Sequence, residues 1–162
     1  DLLRQDALLE GANLLLLGAG GASRGVIQPL LDAGVARIHL ANRTVPKAQQ
    51  IAQLFDPRVS AGSYAEVPKE RWHLLINATS SGLQGERPPL HEQHLEYCQL
   101  AYDMLYGAEP TPFLQWCHQQ GVPQTADGLG MLVSQAAESF TIWRGVQPEV
   151  DPVLLKLREL LR

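Results

Sequence analysis

Apolar residues alternate between two rhythms along this chain. Largely apolar runs at Asn13–Leu17, Arg37–Ala41, Leu74–Ile76 and Leu100–Met104 are short and bounded by glycine or polar turns. Such runs predict strands buried on both faces of a parallel sheet. Between them the spacing turns helical. Ala22–Ala33 carries Val26, Ile27, Leu30 and Leu31 on one face and stops at Gly34, with a kink expected at Pro29. Pro46–Phe55 follows, with Thr44 as N-cap, and Thr111-Pro112 opens a helix to Gln120 that Gly121 closes. Leu129, Leu132, Val133, Ala136, Ala137, Phe140 and Trp143 mark one long amphipathic helix, read as core packing. Val153, Leu154, Leu157, Leu160 and Leu161 mark a last one. The pattern also predicts a helix over Asp1–Glu10 with Leu2, Leu3, Leu8 and Leu9 inward, ended by Gly11. It predicts a short strand near Val59 in the weakly patterned stretch 58–71, and a final strand at Val122–Ala126.

Strands alternating with helices imply right-handed crossovers and a doubly wound parallel sheet, an α/β fold. Ligands on such sheets bind at the carboxyl ends of the strands. The informative loops all follow strands: Gly18–Ser23, Asn42–Lys47, Asn77–Gly82 and Met104–Gly107.

Composition narrows the reading. The 162 residues are 45% hydrophobic and 19% charged, enough for one compact core and against global disorder. A net charge of -4 argues against nucleic-acid or anionic-membrane partners. No run is long and apolar enough for a membrane-spanning helix, and no signal-peptide pattern opens the chain. Cys98 and Cys117 lack metal-ligand spacing and suit a reducing cytoplasm as free thiols. The first residue is Asp1 rather than Met, so the expectation is a removed start or a piece of a larger protein.

Gly18-Ala-Gly20-Gly21-Ala22-Ser23 sits directly after a strand and opens a helix. A pyrophosphate needs backbone N–H groups at close range, and a helix N-terminus adds partial positive charge. The third glycine of the strict GxGxxG pattern is replaced by Ser23. The strand–glycine turn–helix order still predicts a Rossmann-like dinucleotide fold with C-terminal helices. Sites selective for NAD usually carry Asp or Glu at the end of the second strand, on the ribose 2′-hydroxyl. Here that place reads Asn42-Arg43-Thr44, with Lys47 one turn on. No carboxylate there repels a 2′-phosphate, Arg43 can pair with it, and NADP(H) is favoured. The small polar loop Asn77-Ala-Thr79-Ser80-Ser81-Gly82 can sit under the nicotinamide ribose; its composition equally suits an ordinary turn.

Six segments in register carry a resemblance: Gly-Ala-Gly-Gly-Ala-Ser-Arg-Gly at 18–25, Asn-Arg-Thr at 42–44, Asn-Ala-Thr-Ser-Ser-Gly at 77–82, Tyr-Asp-Met-Leu-Tyr at 102–106, Thr-Pro-Phe-Leu at 111–114 and Ala-Asp-Gly-Leu-Gly-Met-Leu at 126–132. Together they closely resemble bacterial shikimate dehydrogenases. The resemblance implies an NADP-dependent hydride transfer between shikimate and 3-dehydroshikimate, on the route to the aromatic amino acids. It implies that Ala19, Gly20, Gly21, Ala22 and Ser23 hold the pyrophosphate. Asn42, Arg43, Thr44 and Lys47 would hold the 2′-phosphate end; the family often has Arg where Lys47 stands, so a point charge replaces a fork. Thr79, Met104 and Gly128 would lie along the cofactor, Met104 and Gly128 beside the nicotinamide. Tyr106 and Gln135 would touch the substrate.

The resemblance also implies an absence. The family's catalytic Lys and Asp, and its Ser-rich carboxylate-binding motif, belong to an N-terminal domain. No lysine precedes the glycine loop here, and Asp1 and Asp6 lie outside any matching motif. The expectation is therefore a cofactor-binding unit over 1–127 and helices over 128–162 that pack partly with that domain. No catalytic residue is expected within the chain, and no activity from it alone. Apolar surface on the last helices would then be uncovered, inviting pairing with a second copy. Three alternatives stand beside this: a quinate/shikimate dehydrogenase, disfavoured by the missing acid near 42–44; a non-catalytic NADPH-binding module; and one section of a fused polypeptide. The scattered His39, His73, His91, His94 and His118 predict no metal site. Asp103 reads either as functional or as a buried carboxylate orienting a loop, and Cys117 as a packed thiol.

Overall fold

The computed structural model describes residues 1–161; Arg162, the end of the second unit expected from sequence, lies outside the described residues. Six strands, β1 (Asn13–Leu17), β2 (Arg37–Ala41), β3 (Val59–Gly62), β4 (Leu74–Asn77), β5 (Leu100–Asp103) and β6 (Gln124–Asp127), form one sheet in the order β3-β2-β1-β4-β5-β6. Every neighbouring pair is parallel. The order reverses between β1 and β4, and that crevice is where a doubly wound sheet takes its ligand.

Both faces of the sheet are covered, which is why its central strands read as largely apolar runs. On one face Leu14, Leu16, Ile38, Leu40, Leu74 and Ile76 pack with Ile27, Leu30 and Leu31 of α1 (Gly21–Asp32) and Ala48 and Ile51 of α2 (Val45–Ala52). On the other, Leu15, Leu17, Leu75 and Ala101 meet Phe113, Leu114, Trp116 and Cys117 of α3 (Pro112–Gln119), with Trp72 closing the side. α4 (Leu129–Arg144) and α5 (Asp151–Leu161) complete the chain.

Several expectations need correction. The helix over Asp1–Glu10 is only a 3₁₀ turn at Leu2–Gln5; Asp6 turns left-handed at φ 53°, and Leu3 and Leu8 face solvent. Two apolar pairs are too few to hold so short a helix against the sheet. Pro29 does lie inside α1, at an exposed position. α2 ends at Ala52, before Phe55, and the last strand lies at Gln124–Asp127 rather than Val122–Ala126. The stripe on α4 is split: Leu129, Val133 and Ala137 are buried, whereas Leu132, Phe140 and Trp143 are exposed, Trp143 at 79%. Helical spacing alone does not say how much of a stripe finds a partner. α5 buries no residue, and Val153, Leu155 and Leu160 are exposed. Among the described residues no helix is long and apolar enough to cross a membrane.

Candidate functional site

Strand register brings the loops to one edge. Gly62, Ala41, Leu17, Asn77, Asp103 and Asp127 are aligned partners across the sheet, and each closes its strand. All the motif-bearing loops leave from this row. A groove of about 660 Å³ opens above its β1–β2–β4 part, lined by Gly18, Ala19 and Gly20, by Asn42, Arg43, Thr44 and Lys47, and by Thr79. Three of the sequence motifs therefore share one cavity.

The glycine turn is held from below. The Gly18 N–H donates to the Ala41 carbonyl at 2.8 Å, and the Ser23 hydroxyl donates to the Gly18 carbonyl at 2.8 Å. Ser23 is fully buried, so its side chain braces the turn from inside. Gly18 has φ +99°, and a Cβ there would come within 3.0 Å of the Ala78 carbonyl and of Thr79. A Cβ on Gly20 or Gly21 would meet nothing within 4 Å. The bare backbone thus fronts open space. The first-turn amides of α1, from Gly21, Ala22 and Ser23, have no intrahelical partner and carry the positive end of the helix. This cradle and its donor set fit a dinucleotide pyrophosphate.

At the end of β2, the Asn42 amide donates to the Thr44 carbonyl at 2.9 Å and folds the turn. Thr44 caps α2 without using its hydroxyl, and its carbonyl accepts the Lys47 N–H at 3.2 Å. Arg43, Thr44 and Lys47 line the groove, with no salt bridge to either cation among the described residues. Two free cations and a free hydroxyl beside a cradle of amides suit a phosphate on the adenosine sugar.

The opposite wall comes from the segment after β4. The Asn77 carboxamide oxygen accepts both the Thr79 N–H (3.1 Å) and the Thr79 hydroxyl (2.7 Å), and Thr79 Oγ1 lies 2.8 Å from Ser81 Oγ. The Asn77 amide donates to Asp103 at 3.1 Å. Asp103 also accepts from the Thr111 hydroxyl (2.6 Å) and the Leu105 N–H (3.1 Å). Burial raises the Asp103 pKa, opposed by the hydrogen bonds from Thr111, Leu105 and Asn77. Asp103 is thus a buried carboxylate orienting two loops.

Beyond it lie the remaining residues named from the resemblance, of which Met104 and Gly128 do not line the groove. Met104 is half-buried, and its N–H donates to the Asn77 carbonyl at 2.9 Å. A Cβ on Gly128 would collide with the Met104 carbonyl, so the two backbones touch. Tyr106 and Gln135 are exposed, and neither lines the groove.

Sequence reading missed Tyr64, Gln84, Glu86, Arg87, Pro88 and Pro89, which also line the groove. Tyr64 lies in the weakly patterned stretch and lines the groove with Arg43; burial raises its pKa while the Arg43 charge lowers it. Arg87 lies with its guanidinium 4.2 Å from the Trp116 ring centre. No periodicity marks either residue. Among the described residues no group of three or more His, Cys, Asp or Glu could hold a metal ion.

Comparison with known proteins agrees with this geometry. The family described as "Shikimate / quinate 5-dehydrogenase" matches residues 2–100, and "Shikimate 5'-dehydrogenase C-terminal domain" matches 128–154. The "Shikimate dehydrogenase (NADP(+))" of Cellvibrio japonicus is 50% identical over 163 residues, covering 99% of this chain and 59% of the relative. The solved Ael1 enzyme from Pseudomonas putida superposes with a TM-score of 0.91 at 39% identity, over 96% of this chain and 58% of that one. Shikimate 5-dehydrogenase from Thermus thermophilus, solved in complex with shikimate, gives 0.79 at 30% identity over 99% and 58%. The chain thus spans somewhat under two thirds of the relatives it matches. It belongs to the shikimate/quinate 5-dehydrogenase family.

Proposed function

We propose that this chain is the cofactor-binding part of an NADP-dependent shikimate dehydrogenase, converting 3-dehydroshikimate and NADPH to shikimate and NADP. The observation that carries the reading is the groove itself. Backbone at Gly18, Ala19 and Gly20, open at Gly20, meets Arg43, Thr44 and Lys47 at one cavity, and no carboxylate ends β2. Glu86, the acid that does line the groove, sits on the segment after β4. The absence of an acid near 42–44 also favours shikimate chemistry with NADP over a quinate/shikimate enzyme using NAD.

The α1 amides from Gly21 to Ser23 would take the pyrophosphate, and Arg43, Thr44 and Lys47 the 2′-phosphate. Met104 and Gly128 would border the nicotinamide, which when bound gives or takes hydride at the substrate carbon. Tyr106 and Gln135 would contact the substrate from the loop after β5 and from α4. The matching proton transfer needs a positioned acid–base group. Asp103 is committed to three hydrogen bonds and is fully buried. No residue of this chain is assigned as catalytic, so the chain by itself is expected not to turn over. The exposed apolar side chains of Phe140 and Trp143 on α4 offer surface on which a substrate domain, or a second copy, would close. Buried free thiols at Cys98 and Cys117 are in keeping with a reducing cytoplasm.

Amide chemical-shift mapping on the chain tests the reading. NADP+ should perturb Gly18–Ser23, Asn42–Lys47 and Thr79 first. Perturbation elsewhere with these segments unmoved would overturn it.

A further inference from the structure

We propose that Arg158, on the last helix, is a positioning residue for the nicotinamide end of the site; this rests on the reading that the chain binds NADP(H). No residue of α5 is fully buried: Leu154, Leu157 and Leu161 are partly covered, and a polar connection adds to that apolar contact. The Arg158 guanidinium donates to both Asp127 oxygens, from Nη1 to Oδ2 at 2.7 Å and from Nη2 to Oδ1. Nη1 also lies 3.4 Å from the Gly107 carbonyl.

Asp127 closes β6, in the row of strand ends from which the site is built. Its Oδ1 also accepts the Leu129 N–H at 3.2 Å, fixing the first turn of α4. Between them, the Gly128 N–H donates to the Leu105 carbonyl at 3.0 Å. Gly128 has no room for a side chain against Met104. One guanidinium therefore reaches the segment 104–107 by two routes: directly at Gly107, and through Asp127, Gly128 and Leu105. That segment carries Met104 and Tyr106.

An exposed ion pair would contribute little. Here the Asp127 side chain is only 10% exposed and the fork engages both of its oxygens. Asp127 also faces Asp103 across the register and disfavours its ionised form. Arg158 supplies the cation paired with Asp127. Arg4 ties the start of α5 through Asp151, at a separate point.

The test compares two ligands on the whole chain. NADP+ spans the full site, whereas adenosine 2′,5′-bisphosphate occupies only the adenosine half. Arg158→Ala should weaken NADP+ by about five-fold and leave the bisphosphate within about two-fold of the unaltered chain. Arg158→Lys keeps the charge without the fork and should recover part of the loss. Hydrogen exchange at the Gly128 and Leu129 amides should quicken by about ten-fold in Arg158→Ala and less in Arg158→Lys. Equal weakening of both ligands, no weakening of either, or unchanged exchange at those amides would overturn the proposal. If the unaltered chain binds neither ligand, the cofactor reading fails, and the exchange measurement still decides whether Arg158 holds the segment.

Discussion

Asn77 and Asp103 are register partners at the ends of adjacent parallel strands, and their side chains bond at 3.1 Å. The Asn77 oxygen then organises Thr79, and Asp103 organises Leu105 and Thr111. One buried pair thus shapes the loop after β4, the loop after β5 and the start of α3.

Asp103→Asn should destabilise the fold by about 1–3 kcal/mol, because one carboxamide oxygen replaces two carboxylate oxygens facing three donors. Urea unfolding measures it. An unchanged midpoint would show that the carboxylate is dispensable to both loops.

Gly128→Ala should be costly for a different reason. The new methyl would collide with backbone at Met104, not with a flexible side-chain end. A loss of about 1–3 kcal/mol is expected, with the segment 104–107 displaced. Thermal unfolding together with amide exchange at Leu105 reads both effects. A fully stable variant with an unmoved segment would contradict the contact.

Acid sensitivity should trace in part to His39. Burial, with a contribution from Arg37, lowers its pKa to about 4; Glu66 opposes and His94 adds to the lowering. Its Nδ1 meets Ser60 Oγ at 2.9 Å, and Nε2 is buried with no hydrogen-bond partner among the described residues. The unfolded chain takes up this proton near pH 6.5 and the folded chain only near 4. Stability from this group is complete above the unfolded value and falls as pH drops through that window, by about 3 kcal/mol in all. His39→Gln should flatten this part of the stability–pH curve. A curve of unchanged slope would remove His39 as the source.

Arg43→Ala should weaken NADP+ by about 1.5–3 kcal/mol and NAD+ far less, since a charged hydrogen bond to the 2′-phosphate is lost. Equal losses for both dinucleotides would defeat the assignment of Arg43.

The middle of the sheet was legible because its strands are short, apolar and buried on both faces, so β1 and β2 read directly from Asn13–Leu17 and Arg37–Ala41. Part of the groove lining was legible because it is local in sequence: Gly18–Gly20 and Asn42, Arg43, Thr44 and Lys47 each fall within one short loop. Contacts between distant residues were not. Arg158 meets Asp127 across 31 positions and Thr111 meets Asp103 across 8, and no periodicity encodes either pairing. Tyr64 was hidden for a related reason, being brought to the groove by β3, the strand with the weakest pattern. The spacing that identified α4 as a helix was silent on which of its apolar residues are covered, and Phe140 and Trp143 are not.

The central claim is that this groove recognises a dinucleotide by its extra phosphate. Calorimetric titration of the chain with NADP+ and with NAD+, under one salt condition, tests it most directly. NADP+ should bind tighter by roughly ten-fold or more, and the gap should shrink as salt screens Arg43 and Lys47. Equal affinities, a preference for NAD+, or no binding of either would contradict it.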